Sequence, residues 1–283
     1  MKKVNLVGAL ERGIDAMEPE HEWDESKIHV SDLSVVLPPS DRKCHRGLWY
    51  RYYGYEKKER KAGTKLMFLQ GDRLHEMAAE LLNAGLTNWE VVNIEKPVSI
   101  DGITGRYDCK LYNPTKDEEM IVDFKTVRGN AFNYLNEPKA SHKLQVRTYM
   151  AATGIQNGAV IYIDREGSHF ARQFFINPNL NQVEKGINLA KNIIKKDKKP
   201  SKMLPKIRIN QNKGNNSVVA ELPWQCQYCD YINVSCDGAI PEKYKDYFGK
   251  VCGHINNNKF EPKNEINNIK KIIKPVLKNK EVI

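Results

Sequence analysis

No window of this 283-residue chain approaches the run of about 18 apolar residues that a membrane-spanning helix needs. The apolar stretch after Lys2 and Lys3 is cut short by Glu11 and Arg12, so neither a membrane span nor a secretory signal is expected. A G-x-x-x-x-G-K-[S/T] run is also missing, which excludes an ATP motor within the chain. There is no internal repeat and no long low-complexity tract. Cysteine is scarce: six residues are too few for a secreted disulfide scaffold. Three of them, Cys226, Cys229 and Cys236, fall within eleven residues, and that bunching points to a bound metal in a reducing, cytoplasmic setting.

What is present is an ordinary globular balance, 28% charged and 40% apolar, with 45 Lys and Arg against 35 Asp and Glu and a net charge of +10. The charge is uneven. Residues 1–41 hold nine acids and four bases, whereas Lys185 to Lys213 holds ten bases and one acid, and 256–283 seven bases and three acids. A basic second half is what a polyanion partner would select, although solvated helix faces give the same composition.

Periodicity divides the chain into an α/β pattern. A helix capped by Ser40 is expected through Cys44, Leu48 and Tyr52, ending at Gly54. A second is expected over about 66–83, with Leu66, Leu69, Leu74, Met77, Ala78, Leu81 and Leu82 inside. Strands follow at 91–100, 104–112 and 120–127, the last two as a hairpin turning through Asn113 to Lys116. Then come a helix at about 140–152, strands at 159–163 and 172–176, and a helix from Leu180 to about Lys196. The Asn- and Lys-rich stretches 210–217 and 256–268 read as loops.

The hairpin carries the chemistry. Asp123 and Lys125 are two residues apart on one strand and share a face, while Phe124 points into the opposite layer. With Asp108 on the neighbouring strand they offer two carboxylates to a hard cation such as Mg²⁺ or Mn²⁺, with an ammonium beside it. An ordinary amphipathic hairpin offers the same D-x-K pattern, but Ile121-Val122-Asp123-Phe124-Lys125 is apolar around its charges, and charges placed there need partners.

Gly71-x-x-x-His75, Gly105-Arg106-Tyr107-Asp108, Asp123-Phe124-Lys125 and Gln145-x-x-x-Tyr149, in that order, resemble the motif set of the RecB-like branch of the PD-(D/E)xK nucleases. The resemblance implies a restriction-endonuclease-like core, a central mixed sheet flanked by helices. It implies metal ligation by His75, Asp108, Asp123 and the main-chain carbonyl of Phe124. It further implies a catalytic Lys125, with Gln145 and Tyr149 lining the site and helping to hold the DNA strand and the lysine. Tyr107 stands where the superfamily name has a proline.

Cys226-x-x-Cys229-x6-Cys236 supplies three thiolates and leaves a fourth place. Cys252 or His254 would complete a compact zinc ribbon, whereas Cys44 would complete a site joining both ends of the chain. Iron-sulfur members of the RecB-like branch carry one cysteine before the core and three after it. Cys44-His45-Arg46, followed by Trp49, Tyr50, Tyr52 and Tyr53, is similar to their upstream segment, with His45 in place of the usual proline. By that resemblance, which extends to CRISPR-associated and phage exonucleases and the AddB nuclease domain, Cys44, Cys226, Cys229 and Cys236 bind a [4Fe-4S] cluster. Cys109 is expected in the core and Cys252 free.

The expected organisation is an acidic extension over 1–40, a nuclease domain with its cluster-binding segments over 41–240, and a basic tail over 241–283. The expected function is a Mg²⁺- or Mn²⁺-dependent DNA exonuclease on single-stranded ends, 5′ to 3′, in a bacterial, archaeal or phage-infected cell. The aromatics after Cys44 would either stack bases or belong to the core. A helicase or integrase would be a separate partner. The competing reading is a non-catalytic nucleic-acid-binding protein with a zinc ribbon. It leaves unexplained why two carboxylates would face a polyanion with no cation between them.

Overall fold

The structure is a computed structural model that describes residues 6–17, 24–38, 41–167, 169–201, 203, 206–212, 215–221 and 223–236. Ser40, Cys252, His254, the stretch 256–268 and the basic tail 241–283 lie outside the described residues. Those described fall into two compact units: one drawn from Met1–Lys43, Arg51–Gly54 and Glu59–Lys196, the other from Cys44–Tyr50, Tyr55–Lys58 and Asp197–Ile283. No helix among them is long and apolar enough to cross a membrane.

The first unit carries α1 (Leu6–Ala16), β1 (Ile28–His29), a 3-10 segment (Val30–Val36) and the end of α2 (His45–Tyr52). It continues with α3 (Ala62–Gly85), β2 (Glu90–Ile100), β3 (Ile103–Asn113), β4 (Glu118–Val127), α4 (Gly129–Asn133), α5 (Ala140–Thr153), β5 (Asn157–Asp164), β6 (Ala171–Ile176) and α6 (Leu180–Ile194). Local chemistry sets the boundaries. The Asn113 side chain accepts the N–H groups of Thr115 and Lys116 at 3.0 and 3.1 Å and so closes the turn between β3 and β4. Gly154, at φ 79°, ends α5 in the left-handed conformation. Asn179 caps α6 by accepting the N–H of Gln182.

The sheet has six strands, with β1, β3, β4, β5 and β6 in order and β2 on the other edge of β3. β2, β3 and β4 are antiparallel, and β4 and β5 are parallel, α4 and α5 forming the crossover. The edge of β3 away from β2 is shared. Its start pairs with β1 at Ile103 and Thr104, and its end pairs with β4 from Cys109 to Asn113. The ladder between β3 and β4 thus stops at Cys109–Val122, and the strands fork just beyond it.

Side-chain alternation builds one layer on each face of the sheet. Ala78, Ala79, Cys109, Leu111, Val122, Phe124 and Ala159 pack on the α3 side, and Val127, Val146, Met150, Val160, Tyr162 and Ile176 on the α5 side. Phe124 is accordingly in the layer opposite its charged neighbours. Ala78 and Ala79 are buried in α3, but Leu66, Met77 and Leu81, which the periodicity placed inside, are exposed at 40%, 46% and 56%. The apolar residues of α3 spread round more of its circumference than the layer that seals it here, so those at the margins stay exposed.

Ile28–Leu37, counted by charge with the acidic extension, supplies β1 and the 3-10 segment and is largely buried. Buried Asp32 pairs there with Arg51, and with Lys43 at 3.1 Å. Val30 also explains a motif glycine. A Cβ on Gly105 would meet Val30 Cγ2 at 2.5 Å and Tyr149 Cε1 at 2.9 Å. Gly105→Ala is expected to cost about 1–3 kcal/mol of stability, measured by urea unfolding.

The second unit holds the start of α2, a hairpin of β7 (Lys206–Asn212) and β8 (Asn215–Glu221), and α7 (Trp224–Gln227). The hairpin corrects the loop reading of 210–217: Asn210 to Asn212 pair with Ser217 to Asn215 as strand ends. Tyr50 and Tyr231 stack at 5.4 Å, Lys58 donates its N–H to the Asp230 carbonyl at 2.8 Å, and Arg46 Nε donates to the Pro200 carbonyl at 2.6 Å.

Candidate active site

The fork between β3 and β4 leaves the N–H of Phe124 without its ladder partner, and the Asp108 carboxylate accepts it at 2.5 Å. The same oxygen, Oδ2, lies 3.5 Å from His75 Nδ1 on α3. One residue along from that N–H, Asp123 is fully buried. Its Oδ2 meets the Lys125 ammonium at 2.6 Å, and its Oδ1 has no hydrogen-bond donor among the described residues. On α5, Gln145 and Tyr149 share a face, and the Gln145 amide donates to the Tyr149 hydroxyl at 2.9 Å. The structure therefore brings His75, Asp108, Asp123 and Lys125 together and places Gln145 and Tyr149 on the helix of the same layer.

Electrostatics follow from burial. Asp108 is pushed up to about 6 and Asp123 to about 7 by desolvation, which Lys125 only partly offsets. Desolvation also lowers Lys125, but Asp123 and Asp108 outweigh it and its net direction is upward, so the lysine is the charged member. His75 is lowered by burial and then by Lys125, which keeps it neutral and able to ligate.

One residue had not been singled out. Glu95 of β2 lies between the pairs Ile94–Cys109 and Lys96–Tyr107, hence across from Asp108. His75, Glu95 and Asp108 form the one group of three or more metal-type donors within 4.8 Å of one another among the described residues. Glu95 has φ 50°, a left-handed conformation uncommon outside glycine, and pairs with Arg106 at 2.7 Å. Val91, Asn93 and Glu95 face inward while the apolar Val92 and Ile94 are exposed, so the sequence carried no signal for it.

The site fits a hard divalent cation: oxygen and imidazole donors converge, and a buried carboxylate lacks the donors it would otherwise need. Of the expected ligands, His75 and Asp108 belong to the converging group, with Glu95 as its third member, and Asp123 does not. A sequence model described as the PD-(D/E)XK nuclease superfamily matches residues 39–236. The chain belongs to that superfamily. No curated protein matches it. Among solved structures it is similar to SSO0001 at 19% identity and a TM-score of 0.49, covering 85% of this chain and all of that one. It is similar to the alkaline exonuclease LHK-Exo from Laribacter hongkongensis at 14% identity and a TM-score of 0.45, covering 65% and 90%. A phage-related exonuclease from Haemophilus somnus 129PT follows at 15% and 0.40, covering 59% and 93%.

For this PD-(D/E)XK chain the raised carboxyls give a definite pH dependence. Both must ionise to hold a cation, so Mn²⁺ affinity should rise at least about tenfold from pH 5.5 to pH 8, by isothermal titration. Without metal the two folded carboxyls bind protons that the unfolded chain has released, so their contribution to stability falls as pH rises from about 4 towards about 7, against the rise contributed by His29, His75 and His142, which burial holds below the usual imidazole range. The check is the metal-free melting temperature of the wild type minus that of Asp123→Asn, which should fall from pH 4 to pH 7 and be raised again by Mn²⁺ at the upper end; a difference constant over that window would contradict the assignment.

The four cysteines fall in the second unit. Tight turns fold 226–236 on itself, the Cys229 N–H donating to the Cys226 carbonyl and the Cys236 N–H to the Tyr231 carbonyl. Burial pushes Cys226 up to about 11, and Cys44, Cys229 and Cys236 each add to the rise. The thiols are thus within electrostatic reach of one another, without the 4.8 Å mutual spacing of the His75 group. Cys109 is buried in the sheet and pushed up to about 12, an inert thiol. The base-stacking role expected of Trp49 and Tyr50 is overturned: they are 7% and 2% exposed and pack together with Tyr55. Tyr52 is half-buried, and the Tyr53 hydroxyl donates to the Ile194 carbonyl.

Proposed function

We propose that the protein is a Mg²⁺- or Mn²⁺-dependent deoxyribonuclease that trims single-stranded DNA ends, 5′ to 3′, and that Cys44, Cys226, Cys229 and Cys236 hold a [4Fe-4S] cluster. The observation that supports the catalytic half is Asp123, a fully buried carboxylate whose Oδ2 meets the charged Lys125 and whose Oδ1 has no donor among the described residues. A binding module has no use for that arrangement, since two carboxylates repel phosphate unless a cation lies between them.

The bound cation supplies a water of lowered pKa and neutralises charge on the scissile phosphate. Asp108 and Asp123 orient it, and the N–H of Phe124 fixes the Asp108 carboxylate. Water adds its oxygen to phosphorus and gives up a proton to solvent, the bond to the leaving oxygen breaks and that oxygen takes a proton from solvent, and the Lys125 ammonium would stabilise the negative charge that grows on the phosphate oxygens. Neutral His75 completes the ligand set, and the Gln145–Tyr149 pair presents hydrogen-bonding groups to the strand.

The four thiolates suit iron-sulfur and zinc alike. The cluster is favoured by the pairing of one upstream cysteine with three downstream ones in a single unit. Recombination, repair, DNA degradation and CRISPR spacer processing all use such an activity, with a helicase or integrase as a separate partner. The test is a time course on single- and double-stranded oligonucleotides labelled at either end, with Mg²⁺ or Mn²⁺. Short labelled products from 5′-labelled single strands at the earliest times support the reading; no cleavage of any form with either metal rejects it.

A further inference from the structure

Beyond the ends of β4 and β5 two loops are stitched into one body. The Gly129 N–H donates to Glu166 Oε2 at 3.1 Å, and the Arg165 N–H to the Val127 carbonyl at 3.0 Å. Phe132 meets the His169 ring edge-on at 5.1 Å, Asn133 hydrogen-bonds that imidazole, and the Arg172 guanidinium lies over Phe132 at 4.9 Å while donating to the Leu135 carbonyl. Such cross-linking usually serves to bury apolar side chains, and Phe132 and Leu135 are buried by it. Yet Tyr134 and Phe170, each one residue from the Asn133–His169 bond, are 84% and 80% exposed. They are the two most exposed aromatic rings among the described residues, on a rigid support.

We infer that Tyr134 and Phe170 form a stacking platform for the bases of single-stranded nucleic acid next to the metal site. Position is the first argument. Arg128 opens the platform just past the end of β4, three residues beyond Lys125 and about 10 Å along the chain at the usual rise. Lys125 is also in register with Tyr162, whose hydroxyl accepts the N–H of Lys139, the residue that closes the platform and leads into the α5 helix of Gln145 and Tyr149. A strand whose phosphate reaches the site therefore has its neighbouring nucleotides over these rings.

Charge is the second argument. The acids of the two loops are engaged: Asp164 accepts the N–H groups of Glu166 and His169, Glu166 accepts that of Gly129, and Glu137 pairs with Lys143 at 3.2 Å. Arg128 and Lys139 are exposed on the same loop. Exposed rings flanked by cations match unpaired bases joined by phosphates, whereas a duplex hides its base faces.

The inference rests on the proposed nuclease reading for its choice of partner, and its test separates the two. Anisotropy of a labelled oligothymidine is followed with Ca²⁺ in place of Mg²⁺, for the wild type and for the Tyr134→Ala, Phe170→Ala double variant. Affinity should drop about tenfold or more for each ring removed. Duplex affinity, Mn²⁺ affinity and melting temperature should stay unchanged. Tyr134→Phe with Phe170→Tyr should keep wild-type affinity, and abasic sites in the oligonucleotide should reproduce the loss in the wild type. Unchanged single-strand affinity in the double variant overturns the platform, whatever the cleavage assay shows. So does a double variant that loses only self-association in sedimentation, which would make the surface an interface between copies. A wild type that binds single strands through these rings without cleaving them keeps the platform and rejects the nuclease.

Discussion

Asp123→Asn and Lys125→Ala should each lower cleavage by about a thousandfold or more, while moving Mn²⁺ affinity in opposite directions. The difference comes from the 2.6 Å contact between them. A cation binding at Asp123 has to compete with the ammonium for Oδ2. Removing the carboxylate charge deletes a ligand and should weaken Mn²⁺ binding about a hundredfold; removing the lysine frees that ligand and should leave binding at pH 8 equal or tighter. Single-strand affinity at fixed salt should shift by no more than about threefold in either variant, because phosphate contacts elsewhere supply most of it. Isothermal titration with Mn²⁺ beside a cleavage assay makes the comparison. Parallel losses of metal affinity would mean that Lys125 supports the fold of the site and has no direct part in the reaction.

Cys226→Ala should abolish the iron content and visible absorbance of anaerobically prepared protein. It should also reduce hydrogen-exchange protection across 44–50 and 223–236 by at least about a hundredfold, leaving β4 and β5 protected. The expectation follows from where the four cysteines lie. Among the described residues of the second unit, Leu48, Trp49, Tyr50, Tyr231 and Ile232 are buried and come from separate chain segments, which a group shared by the four thiolates would tie together. Hydrogen bonds from Lys58 to Asp230 and from Ser235 to Glu56 join those segments, but each contributes only about 1 kcal/mol. Colourless protein with one zinc per chain would sink the cluster assignment, and intact protection in the variant would sink the staple.

The strands and helices that build the sheet were legible because each obeys one period. β3 and β4 alternate around Asp108 and Asp123, and α6 repeats Val183, Ile187 and Ala190 at helical spacing. What escaped was short or doubly coded. β1 has two residues, below the length at which alternation can be seen. The hairpin of β7 and β8 hides its alternating Ile207 and Ile209 among Lys and Asn, residues that usually signal loops. Trp49 and Tyr50 looked like base-stacking groups because an aromatic run is the same whether its face is covered or bare. At the site, the motif residues were readable from order and spacing. Glu95 was not, since its place beside Asp108 depends on a register shift between Val91 and Asn93 that no local pattern announces. The fork itself was equally silent, because a ladder ends through what pairs at the other end of β3.

The division of the second unit between distant segments also fixes an order of events during synthesis. Cys44 leaves the ribosome roughly 180 residues before Cys226, which at about 5–20 residues per second is on the order of 10–40 s. Through that interval the intervening sheet can pair and pack while the first thiol waits without its companions. Any group shared by all four cysteines can be completed only after Cys236 has emerged, when every strand-forming segment of the six-stranded sheet is already off the ribosome's catalytic centre.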